Sequence, residues 1–239
     1  MHLIKHLQLF LFIIFLMNLT TYLSFGQTDQ TTQNLQTPPQ DDLELMFNKS
    51  EAWVDTLWKE RYKDIFLKVG EIAPDFTLYT TDGKPFNFYE ELEKGKPILL
   101  MTGSHSCPVA RGNLKPINKF TKKYKKKLTA VMVYTIEAHP NNAVSPYSIK
   151  NNIWPDEESD IENPETYKER RQICDFWQNK YGLKPIVLVD NPTNDFWLRF
   201  GQAPNLAYLV KPDKTIFSYQ IFINQNKLKE QINELLNEM

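Results

Sequence analysis

Cysteine is scarce in this 239-residue chain, which has only Cys107 and Cys174. Two cysteines exclude a disulfide-stapled scaffold and a zinc site built from several thiolates. They could share one disulfide, but nothing in the sequence forces the pairing. Histidine is also rare. Of four, His2 and His6 lie at the extreme N-terminus, leaving His105 and His139. No charge of either sign dominates: 28 Lys and Arg stand against 29 Asp and Glu, a net −1, which gives no reason to expect a nucleic-acid partner. The single basic block, Lys122 to Lys127, reads as the solvated face of an amphipathic helix, because Phe120, Tyr124 and Leu128 recur through it at four-residue spacing. Internal repeats are absent. So is a long apolar run: the stretch from Leu7 to Met17 is about ten residues, against the roughly 20 a spanning helix needs.

That short run follows Lys5 and precedes a polar stretch with small residues near Gly26, the pattern of a secretory leader. Residues 1–26 are therefore expected to be a signal peptide cut near Gly26 or Gln27. The protein would then be exported, periplasmic or secreted, or membrane-anchored if the segment stays uncleaved. No cysteine at the cut points to a lipoprotein. Residues 27–42, rich in Thr, Gln and Pro without period, read as a flexible linker. Residues 43–69 read as a helical extension with a patchy apolar face of Leu45, Met46, Trp53, Leu57 and Phe66.

From residue 70 to 239 the rhythm is that of one α/β domain. Alternation around Phe76 and Leu78, an Asp82-Gly83 turn, then Phe86 and Phe88 predict a hairpin. PILLMTG, TAVMVYTI and PIVLVD predict buried strands. They are separated by helices over 108–127 and 163–181, and followed by a short helix over 194–200. NLAYLVK and TIFSYQI flank a Pro212-Asp213 turn, and a helix over 226–238 closes the chain. This order predicts a central mixed β-sheet flanked by helices. The turn-rich stretch between Glu137 and Asn163 is long enough to suggest a functional loop.

Cys107 lies where a strand ends at Gly103 and a helix begins near Pro108. Helix N-termini offer unpaired N–H groups and a favourable dipole, which lower a thiol's pKa. Ser104 and Ser106 add hydroxyls that could bond the sulfur. His139 sits just past the next strand. If the two strands are parallel, Cys107, His139 and Glu137 share one rim, giving a nucleophile with a proton donor. A buried structural cysteine is the alternative, disfavoured by the polar Ser-His-Ser before it. Cys174, beside Ile173 in a helix, reads as buried and structural, though it could resolve Cys107.

These residues carry a family resemblance. The C-P motif at a strand-to-helix turn, the helix with Pro116, and Gly201-Gln202-Ala203-Pro204 before a hairpin resemble the thioredoxin fold, in which Pro204 would take the place of a cis-proline packed on the active-site cysteine. Within that fold the chain from about residue 70 to 238 resembles the iodothyronine deiodinases. Gly103-Ser104-His105-Ser106-Cys107-Pro108 resembles their G-S-C-T-(selenocysteine)-P, and Tyr134-Thr135-Ile136-Glu137-Ala138-His139-Pro140 resembles their Y-I-E-E-A-H-P. Ser145-Pro146-Tyr147 and Thr166 to Arg170 continue the match.

The resemblance implies reductive removal of iodine from an aromatic ring. Cys107 would attack the halogen, His139 and Glu137 would handle the proton, and Ser104, His105, Ser106 and Pro204 would line the substrate. It implies no resident cofactor or metal, an external thiol reductant, and a homodimer as in membrane-anchored vertebrate relatives. The chain departs from the family in four ways. Sulfur replaces selenium, His105 replaces a neighbouring cysteine, and neither the histidine after S-P-Y nor the arginine near the last strand has a match. Other readings share the same residues. Ser104 to Cys107 fits the S-x-x-C of a peroxiredoxin acting on peroxide, a general thiol–disulfide redox protein being the broader form. Ala110 in the second position of C-x-x-C argues against a dithiol enzyme. A non-enzymatic protein could bind copper through His105, Cys107 and His139, or serve as an interaction module.

Overall fold

A computed structural model describes residues 37–46, 67–145, 147 and 159–239. The expected leader, most of the linker and residues 47–66 of the helical extension lie outside them. Where the helical extension is described, it is not helical. Glu44 makes an isolated antiparallel bridge to Thr166, and the amide of Leu45 donates to the Glu165 carbonyl. Asp41, at the end of the expected linker, is fixed by the Arg171 guanidinium with two bonds of 2.9 Å.

Among the described residues, seven strands and five helices follow. A hairpin of β1 (Thr77–Tyr79) and β2 (Pro85–Asn87) leads into α1 (Phe88–Leu92). Then come β3 (Ile98–Gly103), α2 (Pro108–Tyr124), β4 (Thr129–Tyr134), α3 (Tyr167–Tyr181) and β5 (Ile186–Val189). The chain ends with α4 (Asp195–Phe200), β6 (Ala207–Val210), β7 (Ile216–Gln220) and α5 (Gln225–Glu238). The strands form one sheet in the order β2-β1-β5-β4-β3-β6-β7. β3 pairs parallel with β4, and β4 with β5. The other pairings are antiparallel, so the sheet is mixed as expected.

The central strands are mostly apolar because both sheet faces are covered. Side chains alternate across a strand. Leu99 and Met101 of β3, with Met132 and Tyr134 of β4, face a core built with α2, α3 and α5 through Leu114, Trp177, Leu228 and Ile232. Ile98 and Leu100, with Val131 and Val133, face the other core, which holds Phe88 of α1 and Phe196 and Phe200 of α4. Phe76 stacks on Phe88 at 4.9 Å between ring centroids and meets Phe196 and Phe200 edge-on.

Two boundaries differ from the sequence expectation for local reasons. α3 begins at Tyr167 rather than 163, because Thr166 and Glu169 form a reciprocal capping box and Pro164 keeps the residue before it out of the helical region. α2 stops at Tyr124, inside the lysine run. Pro116 lies within α2 without ending it.

The register of the parallel pair positions the site. Gly103 pairs with Tyr134, so the two following loops leave the same sheet edge side by side. A Cβ at Gly103 would lie 3.0 Å from the Trp177 ring, so any larger residue there would press on that ring.

Candidate active site

Cys107 caps α2, and its sulfur accepts the amide N–H of Ala110 at 3.4 Å. Its side chain is only 1% exposed. It packs in a small cluster with Ala110, Ile136, Ala138, Tyr147 and Trp197. The expectation of a lowered pKa is overturned. Burial pushes the thiol up to about 11, and the amides of Ala110 and Val109 and the charge of Arg111 offset only part of that. Desolvation of the thiolate outweighs the helix terminus here.

Ser104 and Ser106, expected to bond the sulfur, bond elsewhere. Ser106 donates from its amide (2.8 Å) and its hydroxyl (2.5 Å) to one oxygen of Glu137. The other Glu137 oxygen accepts the hydroxyl of Tyr134. Tyr134 in turn accepts the His105 amide at 3.2 Å. The Ser106 hydroxyl also accepts the main-chain N–H of His139 at 3.0 Å, and the Ser104 hydroxyl accepts that of Ala138 at 3.3 Å. The two loops are thus laced together, and Glu137 and His139 meet at Ser106. Glu137 is fully buried, and burial raises its pKa despite the hydrogen bonds from Ser106 and Tyr134.

His105 is buried, its ring edge-on to Phe176 at 5.4 Å and tilted to Tyr181 at 6.0 Å. His139 is half-buried. Pro204 is buried in the loop before β6, and its peptide bond is trans rather than the cis form implied by the fold resemblance. Thr102 ties that loop to β3, donating to the Ala203 carbonyl at 3.1 Å and accepting the Leu206 amide at 2.9 Å. Cys107 and Cys174 are both free thiols. Cys174 is buried in the core with Trp177. Among the described residues no three His, Cys, Asp or Glu side chains gather as a metal-ligating group, so His105, Cys107 and His139 do not form one.

Sequence reasoning missed the residues that hold the far wall. Trp197 of α4 donates its indole N–H to the Tyr147 hydroxyl at 2.7 Å. Asp190, just after β5, accepts the amides of Phe196 (3.2 Å) and Trp197 (3.0 Å) and so orients α4. Fully buried Arg170 donates to the carbonyls of Asp190 and Asn191 and to the Asn194 side chain (2.6 Å). An aspartate after an apolar strand and an arginine on the apolar face of a helix were the available signals.

Comparisons with known proteins bear on the family and the fold. The family model for iodothyronine deiodinases matches residues 7–222. The chain belongs to the iodothyronine deiodinase family. Type I iodothyronine deiodinase of Xenopus laevis is 21% identical over 164 residues, a match covering 69% of this chain and 60% of that protein's length. Among solved structures, a thiol:disulfide interchange protein from Bacteroides sp. superposes with a TM-score of 0.52 at 14% identity, covering 72% of this chain and 91% of that one. A protein assigned as the thiol:disulfide interchange protein DsbE of Chlorobium tepidum gives 0.52 at 16% identity, covering 71% and 99%. The fold is thioredoxin-like. Among the described residues no helix is long and apolar enough to cross a membrane.

Proposed function

We propose that this family member is an oxidoreductase that removes iodine reductively from aromatic rings, with Cys107 as nucleophile and an external thiol as reductant. The observation that carries the reading is the junction at Ser106, where the loop holding Cys107 meets Glu137 and His139. In the first half-reaction the Cys107 sulfur bonds to iodine as the carbon–iodine bond breaks. The electron pair of that bond stays on the ring carbon, which takes a proton. Net, the thiol proton ends on the ring, so a protonated resting thiol matches the stoichiometry. Glu137, its pKa raised by burial, is the carboxyl placed to hold a proton and exchange it through Ser106. The aromatic wall of Tyr147 and Trp197 around the sulfur suits an iodinated ring.

A peroxidatic reading is less well supported, because it calls for a lowered thiol pKa and free hydroxyls near the sulfur. Export through the N-terminal segment remains part of this reading. The test is iodide release from an iodinated phenol in the presence of dithiothreitol. Release that persists unchanged in Cys107→Ser overturns it.

A further inference from the structure

Arg111, Lys115, Lys119 and Lys122 succeed Cys107 along α2 at spacings of four, four, four and three. They therefore lie on one stripe of the helix running away from the thiol. None of the 17 residues of α2 is acidic. These four side chains line a groove of about 300 Å³ closed by Leu114, Asn118 and Tyr181, again with no acidic group. The volume is at the lower end for small-molecule sites, roughly 300–1,000 Å³.

The opposite wall is prepared for negative charge. The last turn of α3 would present bare carbonyls, but Asn118 caps those of Tyr181 and Gly182 at 3.2 and 3.3 Å and accepts the Lys184 amide at 2.8 Å. Lys180 lies over the Tyr181 ring, adding a cation on that side. At the inner end, Arg111 donates to the carbonyl of His105 at 2.6 Å, inside the loop that carries Cys107. Its charge favours the Cys107 thiolate, by less than burial opposes it.

We propose that this groove binds the carboxylates of a small anionic thiol and delivers its sulfur to Cys107. The proposal rests on the deiodinase reading for its purpose: Ala110 takes the place of a second cysteine, so the reducing thiol comes from outside. After ring protonation Cys107 carries iodine. The anionic thiol RSH attacks the Cys107 sulfur, an S–S bond forms, and iodide leaves with the electron pair and the thiol's proton is released. A second RSH then attacks the R sulfur of that disulfide, releasing RSSR and leaving Cys107 reduced and protonated. Two thiols are oxidised for each iodide released.

The experiment compares mercaptosuccinate, a dianionic thiol, with neutral 2-mercaptoethanol as reductants for the full chain. The readout is the ratio of their KM values, in wild type and in the double variant Lys115→Glu/Lys119→Glu. Normalising to wild type cancels the difference in intrinsic thiol reactivity. The expected result is a rise in the mercaptosuccinate-to-mercaptoethanol KM ratio of about tenfold or more at low salt, shrinking as ionic strength rises. The same charge change outside the groove lining, Lys123→Glu/Lys126→Glu, should leave the ratio near that of wild type. An unchanged ratio in the stripe variant, or an equal rise in both double variants, overturns the proposal. If iodide release itself fails, the thiol step is read separately. Cys107 is oxidised with peroxide to sulfenic acid, which one RSH converts to the mixed disulfide and water and a second reduces to the thiol. The same KM ratio then decides the groove proposal while the deiodinase reading falls alone.

Discussion

Ser106 gives both its amide and its hydroxyl to the carboxylate of Glu137, and the same hydroxyl receives the main-chain N–H of His139. One side chain next to Cys107 therefore fixes the carboxyl proposed to handle the proton. Glu137→Gln keeps the size of the side chain but removes the exchangeable carboxyl proton. Iodide release is expected to fall by about 10²-fold or more, within the range for general acid–base catalysis. The far-ultraviolet circular dichroism should be retained. Full activity in this variant would remove Glu137 from the chemistry.

The thiol itself gives a second outcome. With a pKa pushed up to about 11 by burial, Cys107 should react with iodoacetamide ever faster as pH rises from 8 to 10, without a plateau. A plateau beginning near pH 7 would mean a thiolate already formed, and the burial argument would be wrong.

Stability should follow the same sign. Cys107 is raised from 9.0 to about 11 and Tyr167 from 10.0 to about 12, each chiefly by desolvation. The folded chain keeps these protons at pH values where the unfolded chain has lost them. Their stabilising effect is complete below about pH 9 and is lost as pH rises through the folded values. Urea midpoints are expected to drop between pH 8 and 11, with a shallower drop in Cys107→Ser. A rising midpoint would contradict both shifts.

The sheet was readable in the sequence because its central strands are buried on both faces, which leaves apolar runs such as PILLMTG with few other interpretations. That the loop of Cys107 and the loop of Glu137 and His139 leave the sheet side by side was readable for the same reason: parallel neighbours put their following loops on one edge. What Ser104 and Ser106 bond to was not. A hydroxyl beside a thiol in sequence looks like its donor, and only the position of the neighbouring loop shows that Glu137 and the Ala138 amide take those hydroxyls instead. The direction of the Cys107 pKa failed for a related reason. The helix terminus is visible in the sequence, but the ring of Tyr147 and Trp197 that excludes water comes from segments 40 and 90 residues away.

Arg170 ties α3 to the turn that orients α4, a role that its place on the apolar face of a helix hinted at but did not specify. Its guanidinium is buried and satisfies two carbonyls and the Asn194 side chain. Arg170→Ala leaves those acceptors and Asp190 without their partner, at a cost of about 3–5 kcal/mol for breaking such a buried arrangement. The urea-unfolding free energy is the measurement. A loss under about 1 kcal/mol, the size of an exposed ion pair, would show that water replaces the arginine.

Tyr147 is the side chain whose removal should open the site. It packs in the cluster that buries Cys107, and its hydroxyl is held by the Trp197 indole. Truncation to alanine deletes a buried aromatic, for which about 3 kcal/mol of lost packing is the lower end. Where reagent reaches the sulfur through an opened form, that loss raises the open population on the order of 10²-fold, since each 1.4 kcal/mol is a factor of ten. Alkylation of Cys107 at pH 9 should accelerate accordingly in Tyr147→Ala. Tyr147→Phe, which loses the hydrogen bond but keeps the ring, should change it far less. Equal rates in wild type and Tyr147→Ala would mean that access to Cys107 runs past another wall of the cluster, and that Tyr147 does not screen the sulfur.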